Sequence, residues 1–97
     1  MTPEGRVKAQ VKKILDGYKP DLWYFMPIPR YQAGIPDFIG CYYGKLFAVE
    51  TKAGNNKPTG LQNSVMATIN RAWGHAIVVN EKNMDELIQL IEKLGGI

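Results

Sequence analysis

The sequence has 97 residues and is poor in the side chains that build soft-metal or disulfide sites: one cysteine, Cys41, and one histidine, His75. A lone cysteine excludes an internal disulfide and a cysteine-cluster metal centre, and it fits a reducing compartment. No apolar run approaches the ~18 residues of a membrane span. The opening Met1-Thr2-Pro3-Glu4 lacks the apolar stretch of a signal peptide. No repeat, low-complexity segment or linker interrupts the chain. What is there is ordinary for a globular protein, with 45% hydrophobic and 22% charged residues, so disorder is excluded. The expectation is a soluble, cytoplasmic protein with one domain spanning residues 1–97, large enough for a modest core.

The net charge of +3 is mild, but its distribution is uneven. Residues 1–60 carry nine basic and five acidic side chains, whereas residues 61–97 carry three and four. The basic excess lies in the same part of the chain as the acidic residues discussed below, an arrangement that suits a polyanionic partner such as nucleic acid.

Local patterns predict the order helix, strand, strand, strand, helix, strand, helix. Thr2 is a plausible N-cap with Pro3 in the first helical position, and Val7, Val11, Ile14, Leu15 and Tyr18 recur at helical spacing until Gly17 and Pro20. Leu22 to Ile28, closed by Pro27 and Pro29, reads as a strand apolar on both faces and hence covered on both. Asp37 to Tyr43 and Lys45 to Ala53 read as two strands joined by a tight turn at Tyr43-Gly44. Thr59 with Gln62 forms a capping box for a helix whose apolar face is Leu61, Val65, Ile69 and Ala72, stopped by Gly74. Ala76 to Val79 is a short buried strand. Asn83, with Glu86 in the box position, is expected to cap a last helix facing inward through Leu87, Leu90, Ile91 and Leu94. The final strand–helix–strand crossover predicts that the third and fourth strands are parallel in one mixed sheet flanked by helices, an α/β fold.

The chemistry concentrates in Gly34-Ile35-Pro36-Asp37 and Val49-Glu50-Thr51-Lys52. Glu50 and Lys52 are two apart on a strand and therefore share a face, while Asp37 opens the strand beside it. Strands lie about 4.8 Å apart, so the two carboxylates can converge. Carboxylates without imidazole or thiolate suit a hard cation such as Mg²⁺. The Thr51 carbonyl can add a ligand, and the Lys52 ammonium can orient or deprotonate a water or neutralise a phosphate. The competing reading is an exposed strand salt bridge without function. Against it, Glu50 follows the apolar run Phe47-Ala48-Val49, and a carboxylate so placed needs a partner or a cation. Gly34 and Pro36 also restrict the backbone just before Asp37.

Pro36-Asp37 followed by Glu50-Thr51-Lys52 matches the PD-(D/E)XK nuclease motif. Gly34 to Asp37, Gly44 between strands, Glu50 to Lys52, a polar loop and Gln62 opening the next helix together resemble the VRR-NUC family of that superfamily, over most of the chain from Glu4 to about Val79. The resemblance is to compact stand-alone members of phages and bacteria. It implies a restriction-endonuclease-like core and phosphodiester hydrolysis dependent on Mg²⁺ or Mn²⁺. Asp37, Glu50 and the Thr51 carbonyl would hold metal, Lys52 would serve the attacking water, and Glu4 and Gln62 would approach the site from the first and second helices. Stand-alone members resemble Holliday junction resolvases, so branched DNA and a homodimer are the implied substrate and state, in the cytoplasm of a bacterial or phage-infected cell. For Glu4 and Gln62 the helix dipole and the capping box give sufficient structural reasons on their own.

Other residues invite weaker readings. Lys8, Lys12, Lys13, Lys19 and Arg30 can form a solvated face or track phosphates. The loop Asn55-Asn56-Lys57-Pro58 lies next to Lys52 and suits substrate contact. Tyr24, Tyr31, Tyr42 and Tyr43 can stack on bases or pack in the core. Leu22, Trp23, Phe25, Met26 and Trp73 supply either core or a dimer interface. Cys41 and His75 are read as structural. Two alternatives to a junction resolvase stand beside it: a nuclease of flap or nicking preference, and a non-catalytic nucleic-acid-binding module on the same core. A small interaction protein with purely structural charges is a third.

Overall fold

The computed structural model describes residues 1–28 and 32–96. The expected order is observed: α1 (Pro3–Asp16), β1 (Leu22–Phe25), β2 (Phe38–Tyr42), β3 (Lys45–Thr51), α2 (Gly60–Arg71), β4 (His75–Val79) and α3 (Met84–Leu94). The strands form one sheet in the order β1-β2-β3-β4, antiparallel except for the parallel β3–β4 pair. No helix among the described residues is long and apolar enough to cross a membrane.

One sheet face carries the core. Val7, Val11 and Leu15 of α1 and Leu87, Ile91 and Leu94 of α3 pack on Leu22, Phe38, Tyr42, Phe47, Val49 and Val79. Their helical spacing of three and four puts each triplet on a single stripe. Gly40 lies on this face opposite Phe47, and a Cβ there would stand 2.5 Å from the Phe47 ring and overlap the Trp23 carbonyl. Glycine at this position lets the aromatic ring cross β2. Tyr43 (φ 50°) and Gly44 (φ 79°) both take left-handed backbone, which a two-residue turn between twisted antiparallel strands requires.

The other face is covered only in part. α2 packs against β4, and Met66 is its one fully buried side chain, with Val65 and Ile69 half-buried and Leu61 and Ala72 exposed. The predicted inward stripe is therefore corrected to one centred on Met66, because α2 lies across the sheet's margin. The turn after α2 also differs from expectation. Ala72 caps the helix and Trp73, not Gly74, takes the left-handed position at φ 71°. Gly74 is needed for closeness, with Ile69 and Leu46 side-chain atoms 2.7 and 3.0 Å from where its Cβ would be.

Three further expectations are corrected. β1 ends at Phe25 rather than Ile28, and Trp23 and Phe25 are exposed, so its second face is open. The predicted closing residue Pro29, and with it Arg30 and Tyr31, lie outside the described residues. Cys41 is half-buried on this open face beside Trp23 and Leu46, not in the core. Asn83 makes no side-chain cap for α3. Its amide is used on the preceding turn instead, accepting from the Asn80 N–H at 2.7 Å and donating to the Val78 carbonyl and the Glu86 carboxylate, each at 2.9 Å. His75 opens β4.

Candidate functional site

β2 and β3 bring the motif residues together. Phe38 pairs with Val49, so Asp37 lies one step before β2 and opposite Glu50. Asp37 is fixed by Thr51: its Oδ2 accepts from the Thr51 N–H at 2.9 Å and from the Thr51 hydroxyl at 2.6 Å. The preceding turn is equally constrained. Gly34 adopts φ 84° under the Leu61 and Val65 side chains of α2, and Pro36 is buried. The Thr51 N–H and carbonyl of an extended residue point the same way. The carbonyl thus faces the Asp37 side, beyond the first paired residue of β2, while Lys52 N–H turns to the Val79 carbonyl at 3.0 Å. The hydroxyl and amide of Thr51 were not anticipated as anchors, since only the fold shows that they meet Asp37.

Glu50 is 3% exposed, and its Oε1 is buried without a hydrogen-bond partner among the described residues. Its other oxygen, Oε2, lies 3.5 Å from Lys52 Nζ. Burial, followed by the field of the Asp37 carboxylate, pushes the Glu50 carboxyl up to about 7, and Lys52 offsets only part of this. Leaving a buried carboxylate oxygen unpaired costs free energy that a cation in the gap would recover. The site therefore combines two facing carboxylates, one orphaned buried oxygen and a backbone carbonyl, all hard oxygen donors suited to Mg²⁺ or Mn²⁺.

The peripheral candidates are placed less centrally. Glu4 lies in the first turn of α1 and near enough to add to the field that raises Glu50. Its carboxylate is 3.9 Å from Lys8, and among the described residues no group of three or more His, Cys, Asp or Glu side chains is gathered to hold a metal ion. Gln62 completes the expected capping box, accepting from the Thr59 N–H at 2.9 Å while its own N–H donates to the Thr59 hydroxyl at 3.1 Å. The basic residues divide. Lys12 and Lys19 pair with Asp16 at 3.6 and 3.1 Å, at the far end of α1, whereas Lys8 reaches the site, 3.6 Å from Asp37 Oδ1. Lys8 was legible only as one basic residue among several. Tyr24 is half-buried and donates to Asp16 at 2.7 Å, Tyr42 is buried, and Tyr43 is exposed. The polar loop at residues 54–58 is exposed at Asn55, Asn56 and Lys57, and its start is tied to Glu81, whose carboxylate accepts from the Gly54 N–H at 2.8 Å.

No protein-family model matches the chain, and no curated protein matches it at a significant level. The fold does have a solved counterpart. A structure described as a VRR_NUC domain superposes with a TM-score of 0.79 and 25% sequence identity, covering 92% of this chain and 97% of the other. The likeness bears out the VRR-NUC resemblance and the restriction-endonuclease-like core, and it supports a nuclease-like domain.

Proposed function

We propose that this VRR-NUC-type domain is a divalent-metal-dependent endonuclease of branched DNA, with the four-way junction as substrate and a homodimer as the working form. The observation that carries the metal-dependent reading is the buried, unpartnered Glu50 Oε1 beside Asp37. Asp37 Oδ1, Glu50 and the Thr51 carbonyl would hold Mg²⁺ or Mn²⁺. Such an ion supplies Lewis acidity toward a phosphate oxygen and lowers the pKa of bound water. Thr51 keeps Asp37 in one orientation, so little reorganisation is needed on binding. Lys52 adds a positive charge at the point where phosphodiester hydrolysis builds negative charge. Glu4 and the free amide end of Gln62 would border the substrate. The free Cys41 fits a cytoplasmic site of action.

A homodimer is favoured by the open sheet face. Trp23, Cys41 and Leu46 form one register row across β1, β2 and β3, and Trp73 stands beside Leu46 at the Gly74 turn. Trp23, Phe25, Leu46 and Trp73 are 61%, 46%, 45% and 91% exposed. With aromatics presenting ~200 Å² each, these side chains offer on the order of 500 Å² of apolar surface, against roughly 800 Å² per partner in a standard interface. The row contains no cation, so a phosphate backbone has nothing to bind there, and a second copy of the same face is the matching partner.

The test is cleavage of a labelled four-way junction and a matched linear duplex in Mg²⁺ and in EDTA, by the native protein and by Asp37→Ala. Paired, Mg²⁺-dependent cuts in the junction alone, lost in the variant, are expected. Cutting of both substrates would retain the nuclease and remove the branch selectivity. Salt-sensitive binding without cutting in any metal would favour the binding module.

A further inference from the structure

Lys8 occupies a position that the motif does not assign. It lies one helical turn after Glu4 on α1, and its Nζ is 3.6 Å from Asp37 Oδ1 and 3.9 Å from Glu4 Oε2. Asp37 Oδ2 is already engaged by the amide and hydroxyl of Thr51. Oδ1 is thus the oxygen that remains for a cation, and an ammonium stands against it. Across the gap the arrangement repeats: Lys52 Nζ is 3.5 Å from Glu50 Oε2, while Glu50 Oε1 has no hydrogen-bond partner among the described residues. The two lysines differ in their surroundings. The Lys52 side chain is 15% exposed and close to its carboxylate in sequence, whereas the Lys8 side chain is 35% exposed and joined to Asp37 only through the packing of α1.

We infer that Lys8 is a counter-cation of the Asp37 carboxylate, which yields Oδ1 to a divalent ion and then binds a backbone phosphate of the DNA. This rests on the proposed metal-dependent reading of the Asp37–Glu50 site. Without a divalent ion, Glu4, Asp37 and Glu50 repel one another, and Lys8 neutralises the pair it bridges. A divalent ion bound at Oδ1 repels an ammonium 3.6 Å from that oxygen and competes with it for the carboxylate charge, so ion binding displaces the weaker, more exposed cation. An ammonium on a flexible stem at the mouth of the site is a compact point charge well matched to phosphate. Lys8 is therefore a positioning residue with opposite effects on the two ligands: it weakens the ion and strengthens the DNA.

That pair of signs is the test. Lys8→Met keeps the stem and removes the charge. Mn²⁺ affinity is measured without DNA by electron paramagnetic resonance. Binding of a four-way junction is measured in Ca²⁺ and in EDTA across a salt series. Lys8→Met is expected to tighten Mn²⁺ binding about 2- to 5-fold, the range of a partly exposed ion pair. It is expected to lower the salt slope of DNA binding by about one phosphate contact in Ca²⁺ and to leave the slope in EDTA unchanged. Lys8→Arg, which keeps the charge, should restore both native values and so separates the effect from misfolding. Unchanged or weaker Mn²⁺ binding by Lys8→Met, or an equal loss of slope in Ca²⁺ and EDTA, would overturn the inference. Native protein that binds no Mn²⁺ would overturn the metal-dependent reading first, and the inference with it.

Discussion

The Glu50 carboxyl makes the fold sensitive to pH in a direction opposite to that of most paired carboxylates. Its folded value is about 7, against an ordinary 4.5. Between these values the folded chain keeps a proton that the unfolded chain has released. Stability is therefore greatest at and below about pH 4.5 with respect to this group, and it falls as pH rises to about 7, after which the loss is complete. At 1.36 kcal/mol per unit, the difference is about 3 kcal/mol. For a chain of this length that corresponds to a decrease of about 15 °C in Tm. Asp16 and Glu81 do not interfere, because hydrogen bonds from Tyr24 and from backbone amides, respectively, hold their carboxyls below the ordinary values. Their contributions are present above those ordinary values and are lost only as pH falls further. The assay is thermal unfolding in EDTA from pH 5 to 8, comparing the native protein with Glu50→Gln. The native Tm should fall with pH. The glutamine variant should lack that component and be the more stable protein at pH 8 by about 2–3 kcal/mol, while being inactive. Mg²⁺ should stabilise the native protein more at pH 8 than at pH 5 and leave the variant nearly unaffected. A native profile without this component, or a glutamine variant less stable at pH 8, would refute the claim that Glu50 is buried without an adequate partner.

Other substitutions separate positioning from packing. Thr51→Val preserves the shape of a fully buried residue but removes the hydroxyl on Asp37, and it should weaken Mn²⁺ binding by about 10- to 100-fold, as read by titration. Gly40→Ala should destabilise by about 1–3 kcal/mol, because the added methyl overlaps the Trp23 carbonyl and the Phe47 ring; denaturant unfolding measures it. Gln62→Ala removes the acceptor of the Thr59 N–H and should cost about 1 kcal/mol of stability. If Gln62 also borders the substrate, cleavage measured well below Tm falls too. Trp23→Lys should shift a homodimer to monomer in sedimentation velocity without lowering Tm, since the side chain is 61% exposed.

The parts of the fold governed by local chemistry were legible in the sequence. The Tyr43-Gly44 turn, the Thr2 cap and the Thr59–Gln62 box depend on residues a few positions apart, and all are observed. The spacing that sets Asp37 opposite Glu50 follows from a two-residue turn and strand periodicity, so the centre of the site was legible as well. Contacts decided by tertiary packing were not. Leu22 to Ile28 is apolar throughout, and a continuous apolar run cannot reveal that only Leu22 is buried while Trp23 and Phe25 face outward. Asn83 has the composition of an N-cap, but the nearby Val78 carbonyl and Asn80 amide claim its side chain. Lys8 looked like Lys12 and Lys13 until the packing of α1 placed it on Asp37.

Metal-dependent chemistry at Glu50 is read by phosphodiester cleavage under single-turnover conditions, with protein in excess over a labelled junction, comparing native protein with Glu50→Gln in Mg²⁺ and in EDTA, with DNA binding measured in parallel. Cleavage by the native protein in Mg²⁺ only is expected, and none by a folded Glu50→Gln that still binds DNA. Cleavage by that variant at the native rate, or by the native protein in EDTA, would contradict the metal-dependent reading.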